Sequence, residues 1–102
     1  MARVSVHLVS WNGAKYVPFL FESLRKQTYR DWEFLILDNG SSDCMVDAMK
    51  RELAQGFPVG WSLTPHSTNI GFAAGHNRLI RDVSERGAEY ILLLNQDMFL
   101  EP

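Results

Sequence analysis

Cysteine is almost missing from this 102-residue chain, with Cys44 standing alone. A single thiol excludes an internal disulfide and leaves no CxxC pair or zinc ligand set. Cys44 reads instead as a small residue at a helix start. Charge of one sign is also scarce: 10 basic residues against 12 acidic ones leave a formal charge of −2. That balance offers no field for nucleic acid and no polybasic anchor for a bilayer, so no nucleic-acid partner is expected. No stretch approaches the roughly 18 apolar residues that a membrane crossing requires. The opening MARVSVHLVS lacks a signal peptide's charged region, long apolar run and cleavage site. A cytosolic location is the expectation, at the inner face of the membrane in a full-length protein. His7, His66 and His76 have no metal-like spacing. The glycine-bearing NIGFAAGHN segment lacks the lysine of a P-loop and the spacing of a GxGxxG turn, so ATP hydrolysis has no support.

What is present is an ordinary globular composition, 46% hydrophobic and 22% charged, in a chain long enough for one domain with a real core. Val4 to Val9 is a β-branched run too short for a helix and suited to a buried parallel strand. Asn12 and Gly13 turn the chain. Val17, Leu20, Phe21 and Leu24 then follow helical spacing within Ala14 to Lys26, where Pro18 is tolerable in the first turn. A second strand is predicted over Glu33 to Leu37, and a helix over about Met45 to Gln55, capped by Asp43 and ended by Gly56. Val59 to Leu63 is a weaker strand between Pro58 and Pro65, which places it nearer an edge. Phe72 to Ser84 predicts a third helix with Asn69 or Gly71 at its entrance, and Tyr90 to Leu94 the last strand. This βαβαβαβ order predicts an α/β fold: a parallel, Rossmann-like sheet of about four strands with helices on both faces.

Three of the strands end in polar clusters: SWN after the first, DNGSSD after the second and NQD after the last. Open α/β sheets bind ligands at the carboxyl ends of their strands, so the three clusters are expected to converge on one crevice. Turn chemistry alone also favours Asn, Asp, Gly and Ser and would explain any one cluster. Asp38 and Asn39 are placed to meet a base edge or ribose hydroxyls. Trp11 is either core or a stacking face for a nucleobase. Gly71 and Gly75, one helical turn apart, make a bare stripe for either close helix packing or a ligand. Asn95 and Asp97 alternate along an extended chain, so both side chains point the same way. A carboxylate and an amide oxygen there suit Mg²⁺ or Mn²⁺, provided a diphosphate completes the coordination.

Taken in order, VSVHLVSWN, SLRKQTYRDWEFLILDNGSSD, NIGFAAGHN and LLLNQDMFLEP resemble the amino-terminal half of family-2 glycosyltransferases, inverting nucleotide-sugar-dependent enzymes of GT-A fold. The resemblance spans nearly the whole chain. It implies that Ser10, Trp11 and Asn12 border the nucleotide, with an aromatic against the base. Asp38 and Asn39 match the acidic pair after the second strand, whose second member contacts a pyrimidine. Asn69, Gly71 and Asn77 match the segment flanking the donor pocket, and Asn95 and Asp97 match the metal-binding DXD motif, with Asp97 as the direct ligand. Two positions depart from the family's pattern, Asn39 and Asn95, each an amide where an acid is usual. Both variants are similar to bacterial rhamnosyltransferases, which makes dTDP-rhamnose the narrow expectation and a UDP-sugar the other.

The family's catalytic base lies downstream of the DXD segment, beyond Pro102. Residues 1–102 are therefore expected to be the donor and metal half of a longer catalytic domain, serving a carbohydrate or lipid-linked acceptor in polysaccharide or cell-envelope synthesis. The rival expectation is a non-catalytic α/β module for nucleotide binding or assembly. A receiver-like domain using Asp38 fails for want of an acidic pair after the first strand. An uncovered last strand would also leave a sheet edge open to self-association.

Overall fold

The computed structural model describes residues 2–84 and 87–102. Four strands, β1 (Val4–Ser10), β2 (Trp32–Asn39), β3 (Trp61–His66) and β4 (Tyr90–Leu94), alternate with helices α1 (Val17–Arg25), α2 (Met45–Leu53) and α3 (Phe72–Ser84). All pairings are parallel and the spatial order is β3-β2-β1-β4. The chain therefore builds outward from β1 to β3, then crosses back to place β4 on the far side of β1. That return is the topological switch point of an open α/β sheet.

Alternation along β1 and β2 divides the core. Val6, Leu8, Phe34 and Ile36 face α1 and α2, where Leu20, Phe21, Leu24, Met45 and Met49 close the larger cluster. Val9, Leu35 and Leu37 face the opposite side, where Leu79 and Val83 of α3 cover them. Helices thus lie on both faces, as the element order predicted. The larger cluster is reinforced by aromatic rings, with Phe34 stacked on Phe57 at 5.7 Å and Trp32 edge-on to Phe57 at 6.0 Å.

Several boundaries differ from the sequence expectation for local reasons. Residues Ala14–Tyr16 form a separate 3-10 turn, and α1 begins at Val17, which puts Pro18 in the first turn where no helical N–H is needed. β2 continues through Asp38 and Asn39, whose backbone pairs with Pro65 and His66. β3 starts later than predicted and contains Pro65, which is tolerated because β3 is an edge strand. α2 stops at Leu53, and Gly56 follows at φ +72°, a value that favours glycine. Asp43 does not occupy the cap position, which falls to Cys44, but its carboxylate accepts the Met45 N–H at 3.0 Å and does the same work.

β4 departs furthest from a buried parallel strand. Tyr90, Ile91, Leu92 and Leu93 are all exposed and only Leu94 is buried. It pairs with β1 on one side, and Leu94 is its buried member of the larger core cluster.

Candidate functional site

A crevice of about 410 Å³ opens where β1 and β4 part. The two strands are paired as far as Leu8 and Leu94; beyond them the chains diverge at the switch point. Val9, Trp11 and Tyr16 line it as the wall contributed by β1 and the turn after it, and Asn95, Gln96 and Asp97 as the wall contributed by the segment after β4. Asn39, Asn69 and Phe72 close the side below α3. Five of the residues marked by the sequence are thus brought together: Trp11, Asn39, Asn69, Asn95 and Asp97. Trp11 is 51% exposed, which removes it from the core and leaves its ring free to meet a ligand. Tyr16, Phe72 and Gln96 lie outside the sequence expectation. The first two are apolar helix-start residues that no spacing rule marks, and the third is the middle residue of the NQD cluster.

Other expected contact residues are not among those that line the crevice. Asp38 is buried, and its carboxylate accepts from Ser10 Oγ at 2.7 Å, Ser41 Oγ at 2.6 Å and the Ser41 N–H at 2.9 Å. Ser10, fully buried itself, is committed to that bond. Neither residue lines the crevice. Asn12, at φ +45°, turns its side-chain oxygen away to accept the N–H of Ser42 at 2.7 Å and that of Asp43 at 3.4 Å. It staples the β1–α1 loop to the β2–α2 loop. Asn77 is exposed on α3 outside the crevice.

Asn39 has two roles. Its side-chain oxygen accepts the Ile70 N–H at 2.8 Å and its amide donates to the Gly71 carbonyl at 2.9 Å, fixing the loop that enters α3. Asn69 Oδ1 accepts the Gly71 N–H at 2.7 Å in the same turn. Gly71 adopts φ +93° and is required for its backbone, while nothing crowds the place of a side chain there. Gly75 is the reverse case: a Cβ would stand 3.0 Å from both Val9 methyl groups, so its bareness serves helix-on-sheet packing.

On the α3 face, His7 and His76 are both buried. Ser5 Oγ lies 2.8 Å from His7 Nε2, while His7 Nδ1 and both nitrogens of His76 have no hydrogen-bond partner among the described residues. Burial, then the neighbouring His76, holds the His7 imidazole down to about 4, and burial also lowers His76. His7 is the core histidine its mid-strand position predicted.

No group of three or more His, Cys, Asp or Glu suited to a metal occurs among the described residues. Asp97 is exposed and engages no side chain or backbone group there, and Asn95 is exposed beside it. A lone carboxylate and an amide are hard oxygen donors, and they fit a divalent cation whose remaining ligands are diphosphate and water oxygens. They do not make a self-sufficient metal cage. No helix among the described residues is long and apolar enough to cross a membrane.

A parallel α/β sheet with a polar crevice at its switch point defines a Rossmann-like nucleotide-binding architecture. The sequence profile of glycosyl transferase family 2 matches residues 5–102, and the chain belongs to that family. It is 31% identical over 101 residues to the putative glycosyltransferase EpsH of Bacillus subtilis (strain 168), covering 97% of this chain and 27% of that protein. It is 32% identical over 99 residues to an Escherichia coli chondroitin synthase, covering 97% of this chain and 14% of that one. The chain thus spans about a quarter or less of these relatives. Among solved structures, the mannosyltransferase PcManGT from Pyrobaculum calidifontis, in complex with GDP-Man and Mn²⁺, superposes with a TM-score of 0.88 at 20% identity, over 98% of this chain and 29% of that one. S. aureus TarS 1-349 in complex with UDP-GlcNAc gives 0.81 at 22% identity, over 97% and 27%. These likenesses establish the GT-A fold.

Proposed function

We propose that this chain is the donor-binding part of an inverting, metal-dependent glycosyltransferase that holds a nucleoside-diphosphate sugar between the ends of β1 and β4. The observation that carries the reading is the convergence of an exposed aromatic face, Trp11, with the exposed Asn95 and Asp97 across one crevice. Trp11 stacks on the base, Asn39 and Asn69 border it, and Asp97 with Asn95 meets the diphosphate end through Mn²⁺ or Mg²⁺. A bound cation at that end would compensate the charge of the departing diphosphate. Asp97 is the one acid lining the crevice among the described residues. The reading gives residues 1–102 the donor and metal part of the site and no catalytic base for the carbohydrate or lipid-linked acceptor, so these residues by themselves bind donor without transferring sugar. The place of action proposed is the cytosolic side of the membrane, in polysaccharide or cell-envelope synthesis.

The donor is proposed to be dTDP-rhamnose or a UDP-sugar. PcManGT and TarS are seen with GDP-Man and UDP-GlcNAc, so the same fold accepts different bases in those proteins. The test is calorimetric titration with dTDP, UDP and GDP, each with Mn²⁺ and with EDTA. Metal-dependent binding that prefers one pyrimidine supports the reading, and absence of binding to all three contradicts it.

A second reading, an assembly module, is favoured by one observation, the exposed Tyr90 to Leu93 on an unpaired edge. Unpaired strand edges pair with other strands, and a second copy offers the same edge. Light scattering is expected to give a dimer at high concentration. A monomer at every concentration counts against it.

A further inference from the structure

Gln96 stands between the two residues of the NQD cluster assigned to the diphosphate end, yet it reaches the opposite wall. Its Oε1 accepts the Trp11 N–H at 2.9 Å and its Nε2 donates to the Trp11 carbonyl at 3.0 Å. An extended residue presents its N–H and C=O along one edge, and a neighbouring strand normally satisfies both. Here the backbone ladder between β1 and β4 has ended at Leu8 and Leu94. The carboxamide, which carries one acceptor and a donor group side by side, replaces the missing strand. Room for it is specific. A Cβ on Gly13 would lie 2.6 Å from both Cδ and Nε2 of Gln96, so a side chain at position 13 would push the amide out of the place it occupies. Gly13 itself has φ −123°, an ordinary value, so its backbone does not require glycine.

We infer that Gln96 is a positioning residue that sets the spacing between the Trp11 wall and the Asn95–Asp97 wall, and that Gly13 exists to admit it. This rests on the donor-site reading given above. The remainder of the β1–α1 loop is tied elsewhere, Asn12 to Ser41 and Ser42, and Ala14 to Asp43. Among the described residues, Gln96 is the side chain whose hydrogen bonds join the tip that carries the aromatic ring to the segment after β4 that carries the carboxylate. A ligand that touches both walls needs their spacing fixed before it arrives, because positional freedom left in the site must be removed on binding.

The test has two arms on the same chain. Amide exchange at Trp11, followed by NMR, reads the latch without any ligand. Gln96→Ala is expected to accelerate it about twenty-fivefold, the effect of two hydrogen bonds each worth about fivefold. Gly13→Ala is expected to accelerate it too, and to add nothing in the Gln96→Ala background, because the clash has then lost its partner. The second arm measures affinity for UDP with Mn²⁺ and for uridine. UDP spans both walls and is expected to weaken about tenfold in Gln96→Ala, whereas uridine, which meets one wall, changes by less than about twofold. A general loosening of the fold would weaken both alike. Unchanged Trp11 exchange, additive effects of the two substitutions, or a parent-like affinity of Gln96→Ala for UDP overturns the inference. If the parent itself binds no nucleotide, the donor-site reading fails and the assigned spacing role fails with it, while the exchange arm still decides whether the latch exists.

Discussion

Asp38 and Asp97 both sit where a parallel strand gives way to its loop, with only β1 between their strands, and the structure uses them in opposite ways. Asp38 at the end of β2 is buried beneath three short hydrogen bonds from Ser10 and Ser41. Asp97 beyond β4 is exposed and faces an open crevice. A buried carboxylate is tolerable only when its oxygens are satisfied internally, and once satisfied it has little left to offer a ligand. The exposed one keeps its oxygens for something brought from outside. Asp38 is therefore held by the framework and Asp97 is left open to the crevice, although in sequence the two read as the same polar punctuation.

The comparison breaks most visibly at Asp38. Asp38→Ala strands three donors and is expected to cost about 3 kcal/mol in urea unfolding. A loss below about 1 kcal/mol would return Asp38 to the set of ligand contacts. Acid should act on the other face of the sheet, at His7. The unfolded chain takes up a proton near pH 6.5, whereas the folded imidazole refuses it until about 4. Stability is therefore full above pH 6.5 and declines as pH falls toward 4, by up to about 3 kcal/mol. Urea unfolding across that range checks the slope, which His7→Leu should flatten.

Smaller effects belong to the loops. Gly40 has φ +73°, and a Cβ there would lie 2.8 Å from the Thr68 carbonyl carbon, so Gly40→Ala is expected to lose about 2 kcal/mol. Asn12→Ala removes the staple between two loops and is expected to lose about 1 kcal/mol, measured the same way. Asp97→Ala should be the smallest, within about 0.5 kcal/mol of the parent, because no described group depends on it.

The periodicity of Val4 to Val9 and Tyr90 to Leu94, and of the helices between, makes the parallel α/β order legible in the amino-acid sequence. Strand order is not legible there, since hydrophobic patterning does not say on which side of β1 the last strand returns. The crevice inherits that gap. Trp11, Asn95 and Asp97 are marked as polar-edge candidates, but Ser10, Asp38 and Asn12 carry the same signals and are engaged by neighbours instead, because Ser41, Ser42 and Asp43 sit on a loop brought close only by the β1–β2 pairing. Gln96 is hidden for the opposite reason, as a side chain whose work lies 85 residues away in sequence. The exposure of Tyr90 to Leu93 is hidden as well, for an apolar strand looks alike in the centre of a sheet and at its edge.

The central claim is that the β4 end, and Asp97 in particular, recognises the diphosphate through a divalent cation. The most direct measurement is the calorimetric affinity of Asp97→Ala for UDP or dTDP with Mn²⁺, set beside its unfolding free energy. The account predicts parent-like stability together with loss of the metal-dependent part of binding. Retention of metal-dependent binding in this variant would contradict it.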